Sequence, residues 1–377
     1  MKICYTGGGT LGHIYPAIAI NETLIERTDK VDCYWIGRKN SEEKAIVEYN
    51  NIKYFSINSG KFRRYFSFYN FIDIFNVFIA YFQSINILKE NEVNVIFSKG
   101  GFVSVPVVYA AHRLHIPVIT HESDITMGLA TKLNARVSNK VCLGFNSDIT
   151  KNNDRYIYSG NPIRSALMKW YNANTKEKEE QLTKVLIKEN TLFNKFYKNF
   201  IANFDLSKPI ILVTGGSLGA LEINNIIWDN LDELLKYYNV YHQMGKTYKK
   251  INKRGYIGVI NITDEIGFLY KKATLCISRS GAGTLNELIN FNVNSLLIPL
   301  GHNASRGEQM LNAKYYEDRG CVNILYEREN SSIFIDTVFN LINNRDGILS
   351  RKKKMKNLVN KDTNNHICDV ILSQIGV

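Results

Sequence analysis

The sequence predicts an α/β protein made of two doubly wound domains, and three observations carry that expectation. Strand-like apolar runs alternate with helical patterns, as in parallel sheets covered by helices on both faces. The alternation is interrupted by a charged stretch near the middle of the chain and then begins again. Each series opens with an apolar strand ending Thr-Gly-Gly, then a Gly-rich turn and a helix: Tyr5-Thr6-Gly7-Gly8-Gly9-Thr10-Leu11-Gly12 and Val213-Thr214-Gly215-Gly216-Ser217-Leu218-Gly219. Two Rossmann-like domains facing each other across a cleft are the simplest architecture that fits. Both glycine turns then lie beyond the carboxyl ends of strands, where such sheets bind ligands.

In the first series, strands are expected at Ile3–Thr6, Cys33–Ile36, Lys53–Ile57, Asn94–Phe97, Pro117–Thr120 and Val141–Phe145, with helices at Gly12–Arg27 and Phe68–Lys89. The stretch from Asn172 to about Leu206 is rich in Lys, Glu and Asn. A second series starts at Pro209–Thr214 and continues with strands at Val240–Gln243, Tyr256–Ile260, Thr274–Ser278 and Ser295–Pro299. Its helices are expected at Leu221–Tyr237, Gly283–Asn292 and Gly307–Arg319.

Composition excludes several classes. With 377 residues, 45% of them hydrophobic and 22% charged, the chain is neither disordered nor fibrous and is long enough for two domains. Its six cysteines are scattered, with no C-x-x-C pair and no metal-type spacing, so a reduced protein without disulfides or zinc is expected. The first strand begins at Lys2 and leaves no room for a signal peptide. No apolar run approaches the roughly 18 residues of a membrane span. The net charge of +12 suits nucleic acid, an anionic membrane surface or a phosphate-bearing substrate, although abundant Lys and Asn throughout make part of it compositional.

The motifs narrow the choice. Gly7-x-Gly9-x-x-Gly12 matches a dinucleotide fingerprint, a weak signal alone. The second strand ends Ile36-Gly37-Arg38-Lys39 rather than with an acidic residue, so an NADP-dependent oxidoreductase is the alternative reading. One dinucleotide does not require the second glycine turn. His13 follows the first turn; it is either a structural histidine or an imidazole placed to accept a proton from an attacking hydroxyl. Ser278-Arg279-Ser280-Gly281-Ala282-Gly283-Thr284 joins a strand to a helix whose N-terminus suits a diphosphate, with Glu287 one turn on and able to accept from a ribose diol. A plain helix cap explains Glu287 but not the density of small residues before it.

Lys99-Gly100-Gly101-Phe102 opens another helix after a strand, and Gly160-Asn161-Pro162-Ile163-Arg164 closes the first half, with Arg164 suited to a phosphate or carboxylate. His121-Glu122 lacks the second histidine of a zinc-protease helix, so no metal is expected there. Lys61, Phe62, Arg63, Arg64, Tyr65 and Phe66 interleave basic and aromatic residues, which suits an anionic bilayer surface or, less well, single-stranded nucleic acid. The helix after it carries Phe68, Phe71, Ile72, Phe75, Phe78, Ile79 and Phe82 at helical spacing, a stripe expected to be mostly core.

Seven ordered blocks together resemble the MurG family of N-acetylglucosaminyltransferases. They are Gly7–His13, Ser98–Pro106, His121–Asp124, Gly160–Arg164, Gly215–Ala220, Ser280–Glu287 and Glu308–Ala313. The resemblance implies a GT-B fold: an acceptor- and membrane-facing domain at 1–165 completed by a C-terminal helix at 360–377, a linker with an insertion at 166–207, and a UDP-sugar domain at 208–359. It implies that Ser217 and Ala282, Gly283 and Thr284 meet the diphosphate, Glu287 the ribose, Ile262 the uracil and Gln309 the transferred sugar. Thr10, Leu11 and Gly12 would close on the donor, with Asp124 and Arg164 nearby and His13 as general base. Many members carry an amide where this chain has Asp124, and an ionised carboxylate only accepts hydrogen bonds.

The implied reaction is an inverting transfer of N-acetylglucosamine from UDP-N-acetylglucosamine to the 4-hydroxyl of the muramyl sugar of lipid I, giving lipid II for peptidoglycan synthesis. No metal or other cofactor is expected, since an oriented helix N-terminus can stabilise the leaving diphosphate. The expected setting is the cytoplasmic face of the cell membrane, peripherally bound, with cell-wall synthesis proteins as further partners and no nucleic acid. Another GT-B enzyme with a lipid acceptor is the nearer alternative to the oxidoreductase.

Overall fold

The computed structural model describes residues 1–8, 11–28, 30–39, 41, 43–58, 69–216, 219–263, 265–301, 307–328, 330–359 and 362–376, and of 11 and 69–74 the backbone alone. The chain forms two compact units, Met1–Ser165 with Asp362–Val377, and Ala166–Lys361.

The first unit runs β1 (Lys2–Thr6), α1 (Leu11–Arg27), β2 (Asp32–Arg38), α2 (Glu43–Tyr49), β3 (Lys53–Ile57), α3 (Tyr69–Glu90), β4 (Val95–Ser98), α4 (Ser104–Arg113), β5 (Val118–Glu122), α5 (Leu129–Val137), β6 (Lys140–Leu143), α6 (Ile149–Asn152) and β7 (Tyr156–Tyr158). Among the described residues its strands pair in parallel in the order β3-β2-β1-β4-β5-β6-β7. Successive residues of a strand face opposite sides of a sheet. Ile3 and Tyr5 therefore pack with Trp35, Val95 and Phe97 on one face, while Cys4 packs with Ile36 and Ile96 on the other. Both faces being covered explains why these strands read as continuous apolar runs.

The second unit runs α7 (Ser165–Asn172), α8 (Lys176–Glu189), α9 (Thr191–Asn203), β8 (Ile210–Thr214), α10 (Leu221–Asp229), α11 (Leu231–Tyr237), β9 (Asn239–Gln243), β10 (Tyr256–Val259), α12 (Ile266–Lys272), β11 (Leu275–Ser278), α13 (Ala282–Asn290), β12 (Ser295–Leu297), α14 (Glu308–Glu317), β13 (Asn323–Ile324), α15 (Ser331–Asn343) and α16 (Arg345–Lys356). Its strands are again parallel, in the order β10-β9-β8-β11-β12-β13. The last helix, α17 (Thr363–Ser373), returns to the first unit. There Ile367, Cys368 and Ile371 join the core against Ile14 and Ala17 of α1, and Arg27 pairs with Asp369 at 2.5 Å.

Several details differ from the expectations. The helix expected over Leu221–Tyr237 is two helices, broken at Asn230, whose backbone leaves the helical region (φ −110°, ψ 8°). The Asn230 side-chain amide donates to the Ile226 carbonyl at 2.8 Å, so the side chain competes for a helical acceptor. The phenylalanine stripe is not mostly core: Phe75, Phe78 and Phe82 are 69%, 62% and 60% exposed, on one face of α3. Of the rest, Ile79 is half-buried, and the side chains of Phe68, Phe71 and Ile72 lie outside those described. No helix among the described residues is long and apolar enough to cross a membrane.

The charged middle stretch is two helices of the second unit. α8 is capped by Thr175, whose side chain accepts from the Lys178 N–H, and α9 by Asn190, which accepts from the Phe193 N–H. α9 carries Phe193, Phe196, Tyr197 and Phe200 onto one aromatic residue of α12, Phe268, with ring centroids 5.3 to 5.9 Å away. Trp170 of α7 completes the cluster at 5.6 Å, and its ring lies where a Cβ on Gly267 would be. Most of these contacts are edge-to-face, the favoured geometry for aromatic pairs. Phe268→Ala is expected to lower the unfolding free energy by about 3–5 kcal/mol, measured by urea denaturation, with faster limited proteolysis inside residues 173–206.

Candidate functional site

In each unit the strand order reverses direction at one place, between β1 and β4 and between β8 and β11. These are the switch points beyond which open α/β sheets bind ligands. Each is flanked by two glycine-rich turns: one after β1 and one after β4 in the first unit, one after β8 and one after β11 in the second. In the first unit the two turns touch backbone to backbone. Gly101 has φ +80°, and a Cβ there would lie 2.4 Å from the Gly8 carbonyl oxygen and 3.3 Å from His13 Cε1. Only glycine satisfies both conditions.

His13 sits in the first turn of α1, half-buried, with Nδ1 2.8 Å from the Gly8 carbonyl. A carbonyl only accepts, so Nδ1 carries the proton and Nε2 keeps its lone pair. Burial lowers the His13 pKa below the ordinary imidazole value, and the Lys99 charge adds to this, against the opposing effect of the Gly8 hydrogen bond. The ring is therefore a neutral base near pH 7. Gly12 is exposed beside it.

Beneath this turn lies a buried polar network. Lys99, 3% exposed, reaches His121 Nδ1 at 2.5 Å and Ser123 Oγ at 2.8 Å. His121 donates from Nε2 to the Gly160 carbonyl at 2.9 Å, which leaves Nδ1 to accept from Lys99. Burial pulls the Lys99 pKa down to about 7, partly offset by the charges of Glu122 and Asp124. His121 is held neutral by burial and by the Lys99 charge. The Glu122 carboxylate accepts from the Asp124 and Gly128 N–H groups, each at 3.1 Å, and so shapes the turn that presents Asp124. Arg164 lies over the Tyr15 ring, 5.1 Å from its centroid. The preceding Ile163 is stapled to α17 by both ends of the Asn364 amide, at 3.0 and 2.8 Å.

In the second unit, Thr214 Oγ1 and Ser278 Oγ join the two switch-point strands at 3.1 Å. Arg279, 7% exposed, donates to Glu222 at 2.7 Å and to the Ile298 carbonyl at 2.8 Å, while Arg328 holds the other Glu222 oxygen at 2.9 Å. Ser280 Oγ donates to the Gln309 carbonyl at 2.8 Å. The loop before α13 is thus bolted on both sides. Gly281 is the N-cap of α13 and supplies no side-chain cap, so the N–H groups of Ala282, Gly283 and Thr284 open α13 uncapped by any described side chain. A Cβ built on Gly281 or Gly283 would meet no described atom within 4 Å, and neither residue has a positive φ. Neither backbone conformation nor packing against the described residues demands these glycines.

Glu287 stands on α13, half-buried, and Tyr270 donates to its Oε2 at 2.9 Å. Ile262, half-buried, precedes a turn in which Thr263 donates to Glu265 from both its N–H and its hydroxyl. The Gln309 side-chain oxygen accepts from the Leu300 N–H at 3.0 Å, which fixes its amide. Beside it, Glu308 Oε2 is buried with no partner among the described residues. Behind the Gly219 turn, Asn224 donates to the Met244 carbonyl at 2.9 Å and accepts from His242 Nε2 at 2.9 Å.

The structure thus places His13 and Gly12, with Asp124 and Arg164, along the carboxyl edge of the first sheet. It places Ile262, Ala282, Gly283, Thr284, Glu287 and Gln309 along that of the second. Thr10, Ser217 and Lys61 to Phe66 lie outside the described residues, and Leu11 is described only as the first residue of α1. Lys99 and Glu308 lie within the Ser98–Pro106 and Glu308–Ala313 blocks, whereas Tyr270 and Glu222 belong to no motif. Among the described residues no group of His, Cys, Asp or Glu is disposed to hold a metal ion, and the six cysteines are unpaired.

Known proteins match along nearly the whole chain. Residues 3–143 match the glycosyltransferase family 28 N-terminal domain and residues 210–367 its C-terminal domain. A Clostridium tetani protein is 39% identical over 375 residues, covering 98% of this chain and 97% of its own. It is named UDP-N-acetylglucosamine–N-acetylmuramyl-(pentapeptide) pyrophosphoryl-undecaprenol N-acetylglucosamine transferase. A Clostridium novyi protein of the same name is 38% identical over 378 residues, covering 99% and 98%. Among solved structures, MurG of Acinetobacter baumannii superposes with a TM-score of 0.72 at 23% identity, over 99% of each chain. A Neisseria meningitidis UDP-GlcNAc 2-epimerase superposes at 0.66 with 14% identity, over 99% and 100%, so the GT-B architecture alone does not separate transferase from epimerase. The sequence matches do separate them: the chain belongs to glycosyltransferase family 28.

Proposed function

We propose that this chain transfers N-acetylglucosamine from UDP-N-acetylglucosamine to the 4-hydroxyl of the muramyl sugar of lipid I, with inversion, giving lipid II. The name borne by relatives at 38–39% identity supports that donor and acceptor. The observation that carries the donor assignment is the start of α13, whose glycines are required neither by their backbone conformation nor by any described neighbour. A ligand approaching the backbone closely is the remaining reason for them, and uncapped N–H groups at a helix N-terminus favour a diphosphate.

In this reading the acceptor oxygen forms a bond to the anomeric carbon while the bond to the diphosphate breaks. The electron pair leaves on UDP, and the hydroxyl proton passes to His13 Nε2. Ala282, Gly283 and Thr284 stabilise the charge that grows on the diphosphate, Glu287 accepts from the ribose, and Ile262 lines the uracil side. Ser217 joins the diphosphate contacts, Gln309 holds the sugar, and Thr10, Leu11, Gly12, Asp124 and Arg164 act from the first unit. Oriented N–H donors supply the electrostatic stabilisation that a divalent ion supplies elsewhere, so we assign the reaction no metal.

The nicotinamide reading meets an obstacle at the end of β2. There Glu43, 4% exposed, accepts from the Arg38 N–H at 3.1 Å and from Tyr54 Oη at 2.7 Å. A buried carboxylate would repel the 2′-phosphate of NADP. The exposed Phe75, Phe78 and Phe82 of α3 favour a bilayer over nucleic acid as the partner of the preceding basic cluster. The chain would then work at a membrane surface, bound peripherally.

Gly283→Ala separates ligand from fold. It is expected to leave thermal stability equal or raise it by about 0.5–1 kcal/mol, as for alanine in an open helical position. It should also raise the KM for UDP-N-acetylglucosamine at least tenfold. A stable variant with an unchanged KM contradicts the close approach. His13→Ala should lower kcat by about 10²–10⁴-fold with donor affinity unchanged. Because the His13 pKa is lowered, the wild-type acidic limb of kcat should lie below pH 6.5 and vanish in the variant. Replacing Phe75, Phe78 and Phe82 together by Ser should weaken sedimentation with phosphatidylglycerol vesicles at least tenfold, and equal binding would remove α3 from the membrane contact.

A further inference from the structure

Resting on the donor reading above, we infer that Tyr270 is a positioning residue that fixes the Glu287 carboxylate for the ribose before the nucleotide arrives. Glu287 projects from α13, half-buried, with three rotatable side-chain bonds. Ordering such a side chain at the moment of binding weakens the complex. Tyr270 removes that cost in advance. Its ring is 4% exposed and packs against Phe291 with centroids 5.4 Å apart, so the hydroxyl is presented from a locked position. That hydroxyl donates to Glu287 Oε2 at 2.9 Å and so fixes one of the two carboxyl oxygens.

The placement of Tyr270 in the chain strengthens the case. It lies on α12, which begins just after the Ile262–Glu265 turn. One end of this short helix follows the segment assigned to uracil, and the other holds the residue assigned to ribose. Between them, Gly267 and Phe268 are pinned by Trp170 and by the aromatic face of α9. The nucleoside half of the site is therefore held by one rigid element rather than by a loop, as precise recognition requires.

The test is isothermal titration of UDP, and of 2′,3′-dideoxy-UDP, into the wild-type chain, Tyr270→Phe, Glu287→Ala and the double variant. Tyr270→Phe keeps the buried ring and should unfold within about 4 °C of wild type, the scale of one lost hydrogen bond in a domain of this size. Its Kd for UDP should rise about tenfold, the scale of one hydrogen bond to a charged group. Its Kd for dideoxy-UDP should match wild type. Glu287→Ala should weaken UDP at least as much, and adding Tyr270→Phe to it should change nothing further. Equal weakening of both nucleotides by Tyr270→Phe, or full additivity with Glu287→Ala, overturns the positioning role. Wild-type binding of UDP with no effect of Glu287→Ala overturns it through the ribose contact. Failure of the wild-type chain to bind UDP overturns the donor reading itself.

Discussion

At the carboxyl edge of each sheet the chain has to reverse twice, side by side, at the point where the strand order changes direction. In the first unit the two reversals fit because backbone meets backbone: a Cβ on Gly101 would lie 2.4 Å from the Gly8 carbonyl. In the second unit the turn after β8 meets the turn after β9 in the same way, where a Cβ on Gly219 would lie 2.3 Å from the Met244 carbonyl. Much of the site follows from this steric constraint. Because Gly8 is held against Gly101, its carbonyl faces His13 and fixes the imidazole tautomer. Because Lys99 immediately precedes the second turn, its side chain is driven under the edge to His121 and Ser123, where burial pulls its pKa down to about 7.

The second unit repeats the plan with one difference. Gly216 and Gly219 have positive φ and are demanded by the turn itself, whereas Gly281 and Gly283 are demanded by neither conformation nor packing. The first pair belongs to the fold, and the second is the pair on which the proposed diphosphate contact rests. The helices of residues 176–203 acquire a structural purpose in the same picture. They press an aromatic face onto Phe268 and so hold α12, which carries Tyr270 toward Glu287. A stretch that looks peripheral in sequence thereby stiffens the helix that carries Tyr270.

Much of this was legible in the residues. The parallel strands were visible because double-sided burial makes them continuous apolar runs, and the glycine turns because their spacing follows each strand end. The short edge strands β7 and β13, of three and two residues, are too brief to show any periodicity. The break at Asn230 depends on a side chain capturing its own helical acceptor, which hydrophobic spacing cannot reveal. The exposed phenylalanines of α3 have core spacing because a solvent-exposed apolar stripe and a core-facing stripe obey the same period. Tyr270 and Glu222 were silent because their roles arise from a partner 17 or 57 residues away in the chain, and no local pattern records such a pairing.

The most direct measurement of the central claim is transfer of radiolabelled N-acetylglucosamine from its UDP donor to an undecaprenyl-pyrophosphate-linked muramyl pentapeptide by the purified chain, with EDTA present. The account predicts label in the lipid fraction at a rate that EDTA does not change. Binding of the donor without any transfer to that acceptor, or transfer abolished by EDTA and restored by a divalent ion, would contradict it.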